Sequence, residues 1–194
     1  VELYTNFAKD CIENIARASI DHRLIAYTPS DAEETLRGLN NSLASFEYYS
    51  QGSGNLGLRL ERVFNFVFSK GGERVVALGT DAPTLPTDYI NLAFDLLESN
   101  DVVLGPAVDG GYYLIGSRVD VGNLFRDIQW GTEHVFEQTI DRLKGTSFSL
   151  LPPWYDIDRP RDVKFLIAHL RGMHLTGSPV ARNTLSYLEQ SRID

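Results

Sequence analysis

The chain is short of several things at once. Among 194 residues there is a single cysteine, Cys11, so no intrachain disulfide can form. That fits a reducing, cytoplasmic setting. No run approaches the roughly 18 apolar residues that a membrane-spanning helix needs. The amino-terminal pattern is helical and does not have the form of a secretory leader. Cations are scarce as well: 18 Lys and Arg against 26 Asp and Glu give a formal charge of -8. A nucleic-acid-binding surface needs basic patches, so this balance argues against one. A small nucleotide ligand stays open, because a bound metal can supply positive charge locally. An opening strand is missing too. The first periodic segment, Leu3, Phe7, Cys11, Ile12 and Ile15, has helical spacing. A doubly wound sheet usually begins with a strand whose following turn cradles phosphate. The first residue is Val and not Met, so the expectation is that this strand and loop lie upstream of Val1.

The hydrophobic fraction of 43% is enough for a core, and the length suits one domain over residues 1–194. After the first helix, Leu24 to Tyr27 reads as a strand closed by Pro29, and Asp31 to Leu39 as a short helix with Ser30 as its N-cap. Phe46 to Tyr49 is a second strand, running into the glycine-rich Gln51 to Gly57. Leu56 to Phe68 has a helical apolar face, and Val75 to Gly79 is a β-branched run that reads as a central, buried parallel strand. A helix over Asp88 to Glu98 and paired strands at Val102 to Gly105 and Gly111 to Gly116 follow. Thr132 is placed as the cap of a helix reaching Leu143. The last strand lies within Phe148 to Ile157, interrupted by Pro152 and Pro153. Pro160 opens a helix to about Leu170, and Arg171 to Asp194 reads as a loop with a short terminal helix. No internal repeat is present. Alternating strands and helices imply an α/β fold, a three-layer α/β/α sandwich with a mainly parallel mixed sheet.

Chemistry concentrates in a few motifs. Asp81, in GTDAP, stands just past a strand end, the edge where open α/β sheets bind ligands. A carboxylate there suits Mg²⁺ or Mn²⁺, which prefer oxygen ligands; the plainer alternative is a turn cap. In YDIDRPRD, Asp156 and Asp158 alternate with Ile157 and share a face if extended. Asp162 lies in the first turn after Pro160, where negative charge is favoured, but Arg159 is a poor N-cap. Capping therefore leaves Asp158 free to join Asp81 in a two-carboxylate metal site. In GPAVDGGYYLIG, Asp109 is placed to orient or deprotonate an acceptor, with Gly110 and Gly111 allowing close approach; an ordinary glycine turn is the alternative.

The loop QGSGNLGLR offers Gln51 and Asn55, with donors and acceptors for a base edge, among Gly52, Gly54 and Gly57; a flexible linker is the alternative. Thr80 adjoins Asp81 on the nucleotide side. Trp130 is either a stacking residue for a sugar or base or a half-buried core residue. His22, His134, His169 and His174 show no metal-ligand spacing, and Cys11 lies on an apolar helix side as inert core.

Taken in order, QGSGNLGLR, GTDAPTLP, GPAVDGGYYLIG, WGT and DIDRPRDV resemble a family of small GT-A-fold nucleotide-diphospho-sugar transferases, some of them arsenosugar-biosynthesis-type glycosyltransferases. The family pattern runs QGxGDLGxR, GTDxPxLP, GPAxDGGYxLIG, W-x-T and DxDxPxDL, and the resemblance covers roughly Leu3 to Leu170. It implies a GT-A nucleotide-binding domain with a divalent metal on Asp81 and Asp158, and a base lined by Gln51 to Gly57. Asn55 departs from a usual aspartate and Arg159 from a usual Thr or Ser. The family's opening loop, of the form KxPxxGxxKTR, is not found. The expected partners are a nucleotide sugar and a small-molecule acceptor, and homo-oligomer formation is left open. Three readings stand at this point: a metal-dependent glycosyltransferase, a nucleotidylyltransferase releasing pyrophosphate, and a non-catalytic nucleotide-sugar-binding protein.

Overall fold

The computed structural model describes residues 1–39, 44–178 and 180–191. In chain order the elements are α1 (Glu2–Arg17), β1 (Leu24–Tyr27), α2 (Glu33–Leu39), β2 (Glu47–Ser50), α3 (Leu56–Ser69), β3 (Val75–Leu78) and α4 (Thr87–Leu96). Then come β4 (Val102–Pro106), β5 (Tyr112–Ser117), α5 (Val135–Arg142), β6 (Phe148–Leu150), α6 (Pro160–Leu175) and α7 (Arg182–Gln190).

β1 and β2 form a parallel pair, from Leu24 opposite Glu47 to Tyr27 opposite Ser50. The other four strands make a sheet in the order β3-β5-β4-β6. β5 is antiparallel to both its neighbours, and β4 and β6 are parallel. Three strands of this sheet therefore share one direction, giving the mixed, mainly parallel sheet of an α/β fold. The placing of Val75 to Gly79 as a central parallel strand needs correction. β3 ends the four-stranded sheet and its ladder is with antiparallel β5. The short turn at Asp109–Gly111 sends β5 back along β4, and β5 then lies between β4 and β3.

Alternation along β4 assigns the layers. Val102 and Leu104 pack with Phe64 and Leu143, beneath α3 and α5. Val103 points the other way, packing with Ile90, Ala93 and Leu97 on the α4 side, where Ala18 at the end of α1 joins them. Because a strand's side chains alternate by face, two helical layers can bury both sides of one sheet. A third apolar cluster joins Phe7 of α1, Leu166, Ile167 and Leu170 of α6, Leu188 of α7, and Ile157. Here α7 is fastened by the buried Asp10, which accepts bonds from Asn183 N at 3.0 Å, Asn183 Nδ2 at 2.8 Å, Thr184 N at 2.8 Å and Thr184 Oγ1 at 2.6 Å. A buried carboxylate is tolerable only when its oxygens are satisfied in this way. Cys11 is buried nearby. Burial raises its thiol pKa, which leaves it unreactive.

Several boundaries shift for local reasons. α2 starts at Glu33 and β2 at Glu47. Thr132 stands two residues ahead of the α5 N-cap: its hydroxyl accepts from His134 N at 3.3 Å and donates to Gln129 O, and the helix begins after His134. β6 ends at Leu150, before Pro152 and Pro153, which lack ladder donors. One parallel bridge, Ala107 with Trp154, continues the line. α6 runs past Leu170 to Leu175, and residues 179 and 192–194 of the carboxyl-terminal segment lie outside the described residues. No helix among the described residues is long and apolar enough to cross a membrane.

Candidate active site

The site begins where β3 ends. Gly79 N donates to Tyr113 O at 3.1 Å, extending the ladder one step. The Asp81 side chain then folds back over Gly79, where an added Cβ would stand 2.5 Å from Asp81 Oδ1. Only glycine leaves room for that placement. Thr80 is exposed, and Ala82 to Leu85 turn inward and are buried. Burial pushes the Asp81 carboxyl above its ordinary range. A bond from its own backbone amide opposes this, and the charges of Asp158 and Asp109 add to the rise.

A second acidic segment is pinned against this one. Ile157 N donates to Asp81 O at 2.9 Å, and the Tyr4 hydroxyl donates to Ile157 O at 3.1 Å. The Ile157 side chain is only 2% exposed and is a peg in the third apolar cluster. Its neighbours Asp156 and Asp158 therefore share the opposite face, away from the core. Asp162 accepts from Asp158 N at 3.2 Å and from Arg159 N at 2.8 Å. It caps the start of α6 in place of the unsuitable Arg159, and Asp158 keeps its own carboxylate for other use.

Asp109 comes from the β4–β5 turn. Its Oδ1 accepts from Gly111 N at 2.8 Å. Gly110 has φ +96°, and a Cβ there would lie 2.2 Å from the backbone oxygen of Glu133. Phe136 N donates to Gly110 O at 2.8 Å, so the turn is pressed directly onto the start of α5. The turn meets the acidic segment: one oxygen from each of Asp109, Asp156 and Asp158 lies within 4.8 Å of the others. Asp81 stands just outside this triplet, near enough for its charge to be felt. The Asp156 carboxyl is pushed up to about 6, first by burial, then by Asp109, with Asp81 and Asp158 adding and a backbone bond opposing. So Asp158 lies in a tight group with Asp109 and Asp156, and Asp81 adjoins that group without belonging to it. The DxD alternation was the sequence signal for Asp156. Nothing in the spacing signalled that Asp109 would join it.

The glycine-rich loop follows β2. Gln51 N donates to Tyr27 O at 2.8 Å, and Gly52 and Gly54 have positive φ. Arg62 holds the loop by donating to Gln51 O at 2.9 Å and to Ser53 O. Asn55 is the N-cap of α3, accepting from Leu58 N at 3.0 Å. That bond occupies the amide oxygen considered for a base edge, whereas the Gln51 amide stays uncommitted among the described residues. Gly57 is buried against Phe125 and Trp130. Trp130 packs edge-on to Tyr112, with ring centroids 6.2 Å apart, and belongs to the apolar cluster under α3 and α5. Sequence reasoning missed Tyr4, Thr84, Tyr155 and His169, which brace the acidic segments. The Tyr155 hydroxyl lies 2.8 Å from Thr84 Oγ1 and 2.6 Å from His169 Nδ1.

Solved structures are similar over nearly the whole chain. The provisionally named nucleotide-diphospho-sugar transferase of Desulfovibrio desulfuricans G20 superposes with a TM-score of 0.83 at 28% identity, covering 97% of this chain and 82% of that one. A cytidylyltransferase from Leptospira borgpetersenii gives 0.62 at 12% identity, covering 96% and 84%. A CMP:2-keto-3-deoxy-manno-octonic acid synthetase complexed with CTP gives 0.58 at 9% identity, covering 86% and 88%. These last two likenesses are of fold alone. No curated protein matches the chain. The family profile described as "Uncharacterized protein conserved in bacteria (DUF2064)" matches residues 11–132.

Proposed function

This chain belongs to the DUF2064 family, and we propose that it is a divalent-metal-dependent glycosyltransferase with a nucleotide-diphospho-sugar donor. The observation that carries the reading is the convergence of Asp109, Asp156 and Asp158, with Asp81 beside them. Crowding acids at one sheet edge raises their mutual repulsion, and a cation relieves it. All the donors are carboxylate oxygens, the set that hard cations such as Mg²⁺ and Mn²⁺ take. The residues fit such an ion: the triplet would hold it, and Asp81 would adjoin. Bound there, the ion supplies charge neutralisation for a departing diphosphate.

The chain's own residues do the rest. Asp109 has one oxygen tied to Gly111 N, which fixes its plane and leaves the second oxygen for a cation or an acceptor hydroxyl. Gln51 offers its free amide to a base edge, and Gly52 and Gly54 shape the loop around it. Thr80, exposed beside Asp81, stands at the same strand end. The 28% identity to the Desulfovibrio protein supports a sugar-nucleotide donor over a nucleoside triphosphate.

The test is calorimetric titration with nucleotide sugars and nucleoside triphosphates, with and without Mn²⁺. Mn²⁺-dependent binding of a nucleotide sugar, followed by sugar transfer without pyrophosphate release, is the expected result. Preference for CTP or GTP with pyrophosphate release would replace this reading with nucleotidyl transfer. Binding without turnover would leave a nucleotide-sugar-binding protein, and a wild-type protein that binds neither metal nor nucleotide would overturn the reading.

A further inference from the structure

A single hydrogen-bond chain runs behind the acidic site. Trp154 Nε1 donates to Thr84 Oγ1 at 3.3 Å. Thr84 Oγ1 donates to the Tyr155 hydroxyl at 2.8 Å, and that hydroxyl meets His169 Nδ1 at 2.6 Å. The direction of the chain is fixed at its first link, because an indole N–H can only donate. Thr84 is 0% exposed, and among the described residues its hydrogen has no acceptor but Tyr155. The Tyr155 hydroxyl then meets His169 Nδ1, as donor or acceptor according to the imidazole tautomer. The chain therefore runs from the indole through Thr84 to Tyr155, and His169 closes it.

Its position gives it consequence. Thr84 is three residues after Asp81, and Tyr155 is the residue before Asp156. The two acidic segments are thus joined at two points: Asp81 O with Ile157 N, and Thr84 with Tyr155. One bond alone would leave a hinge; two fix rotation as well as distance. The Tyr155 ring is held by Phe165, edge-on at 4.8 Å, and by Trp154, stacked at 5.7 Å. Repulsion among the carboxylates pushes the segments apart, and this brace resists it.

We propose that Tyr155 and His169 are positioning residues, whose hydrogen-bond chain through Thr84 sets the spacing between Asp81 and the Asp156–Asp158 pair. The proposal rests on the metal reading of the site and adds the residues that hold its geometry. Outer partners of metal-binding groups commonly matter about as much as this: their loss weakens affinity by about 10- to 100-fold.

The experiment measures Mn²⁺ affinity by calorimetry for Tyr155→Phe, His169→Leu and His169→Asn, with melting temperature and near-ultraviolet circular dichroism to confirm folding. Asn carries an amide at the same branch, Oδ1 or, when flipped, Nδ2 where His carries Nδ1, so it restores the hydrogen bond to Tyr155 without the imidazole ring. Tyr155→Phe and His169→Leu are expected to weaken Mn²⁺ binding about tenfold or more, and His169→Asn by no more than about twofold. Wild-type affinity in the first two variants would overturn the proposal. So would equal weakening by Leu and Asn, which would assign His169 a packing role. If the wild-type protein binds no Mn²⁺, the metal reading falls separately. The brace is then judged on metal-free protein by amide exchange at Ile157. Faster exchange in Tyr155→Phe and His169→Leu but not in His169→Asn supports it, and unchanged exchange overturns it.

Discussion

Ile157 donates its backbone amide to the carbonyl of Asp81 at 2.9 Å, joining two acidic segments separated by more than seventy residues of chain. Asp156 stands directly beside this joint, with Asp109 and Asp158 within ligand-sharing distance. Asp156→Asn should therefore act in opposite directions on two measurements. Without metal it removes a repelled charge, and the melting temperature should rise by about 2–4 °C, corresponding to about 1 kcal/mol in a chain of this size. With Mn²⁺ it removes a ligand, and affinity should fall by about tenfold or more. Thermal denaturation and calorimetry on the same samples check both.

The same carboxyl carries a pH signature. Its folded pKa of about 6 lies above the ordinary value of 3.8. The protonated form is thus favoured by the fold, and the contribution to stability is fully present below about pH 4. It is lost as pH rises through about 6. The melting-temperature gap between Asp156→Asn and the wild type should accordingly be near zero at about pH 4 and open between about pH 4 and 6. A gap independent of pH would show that Asp156 does not titrate in this window. Saturating Mn²⁺ should remove the dependence.

Gly110→Ala should destabilise by about 3 kcal/mol, through positive φ and collision with backbone that cannot yield. The atoms in the way are Glu133 O and Cα, at 2.2 and 2.7 Å from the new Cβ. Urea denaturation gives the number. A cost below about 1 kcal/mol would mean that the turn can lift away from α5.

At Asn55 the expectation concerns a departure from the family pattern. Asn55→Ala should cost about 1 kcal/mol through loss of the α3 cap, while Asn55→Asp should stay within a few tenths. The bond at stake is the one from Leu58 N, at 3.0 Å. Nucleotide affinity unchanged in Asn55→Asp would agree with the cap being the residue's main task.

Much of the fold was readable because it rests on local pattern. Val102, Val103 and Leu104 alternate by face, and Phe64 and Val67 sit at helical spacing, so strands and helices declare themselves. The order of strands does not, since pairing β5 between β3 and β4 depends on where a turn sends the chain and leaves no periodic trace. The site divides in the same way. Asp81 is announced by its strand end, and Asp156 and Asp158 by their alternation about Ile157. The brace through Thr84, Tyr155 and His169 was illegible, because hydrogen bonds across seventy residues impose no spacing on the sequence. Arg159 is a poor cap by residue type, and the structure supplies the capping carboxylate from Asp162 instead.

Ile157 is both a core residue and the hinge pin between two acids. Whatever fixes the flanking carboxylates in place also fixes this side chain in its cluster with Phe7, Leu166 and Leu188. On the proposed metal reading, occupancy of the acidic edge would be thermodynamically linked to the docking of α1, α6 and α7. A substitution deep in that apolar cluster, such as Leu166→Ala, would register as weaker ligand affinity while touching no ligand. A bound ligand would in turn slow the opening of helices on which it exerts no direct contact.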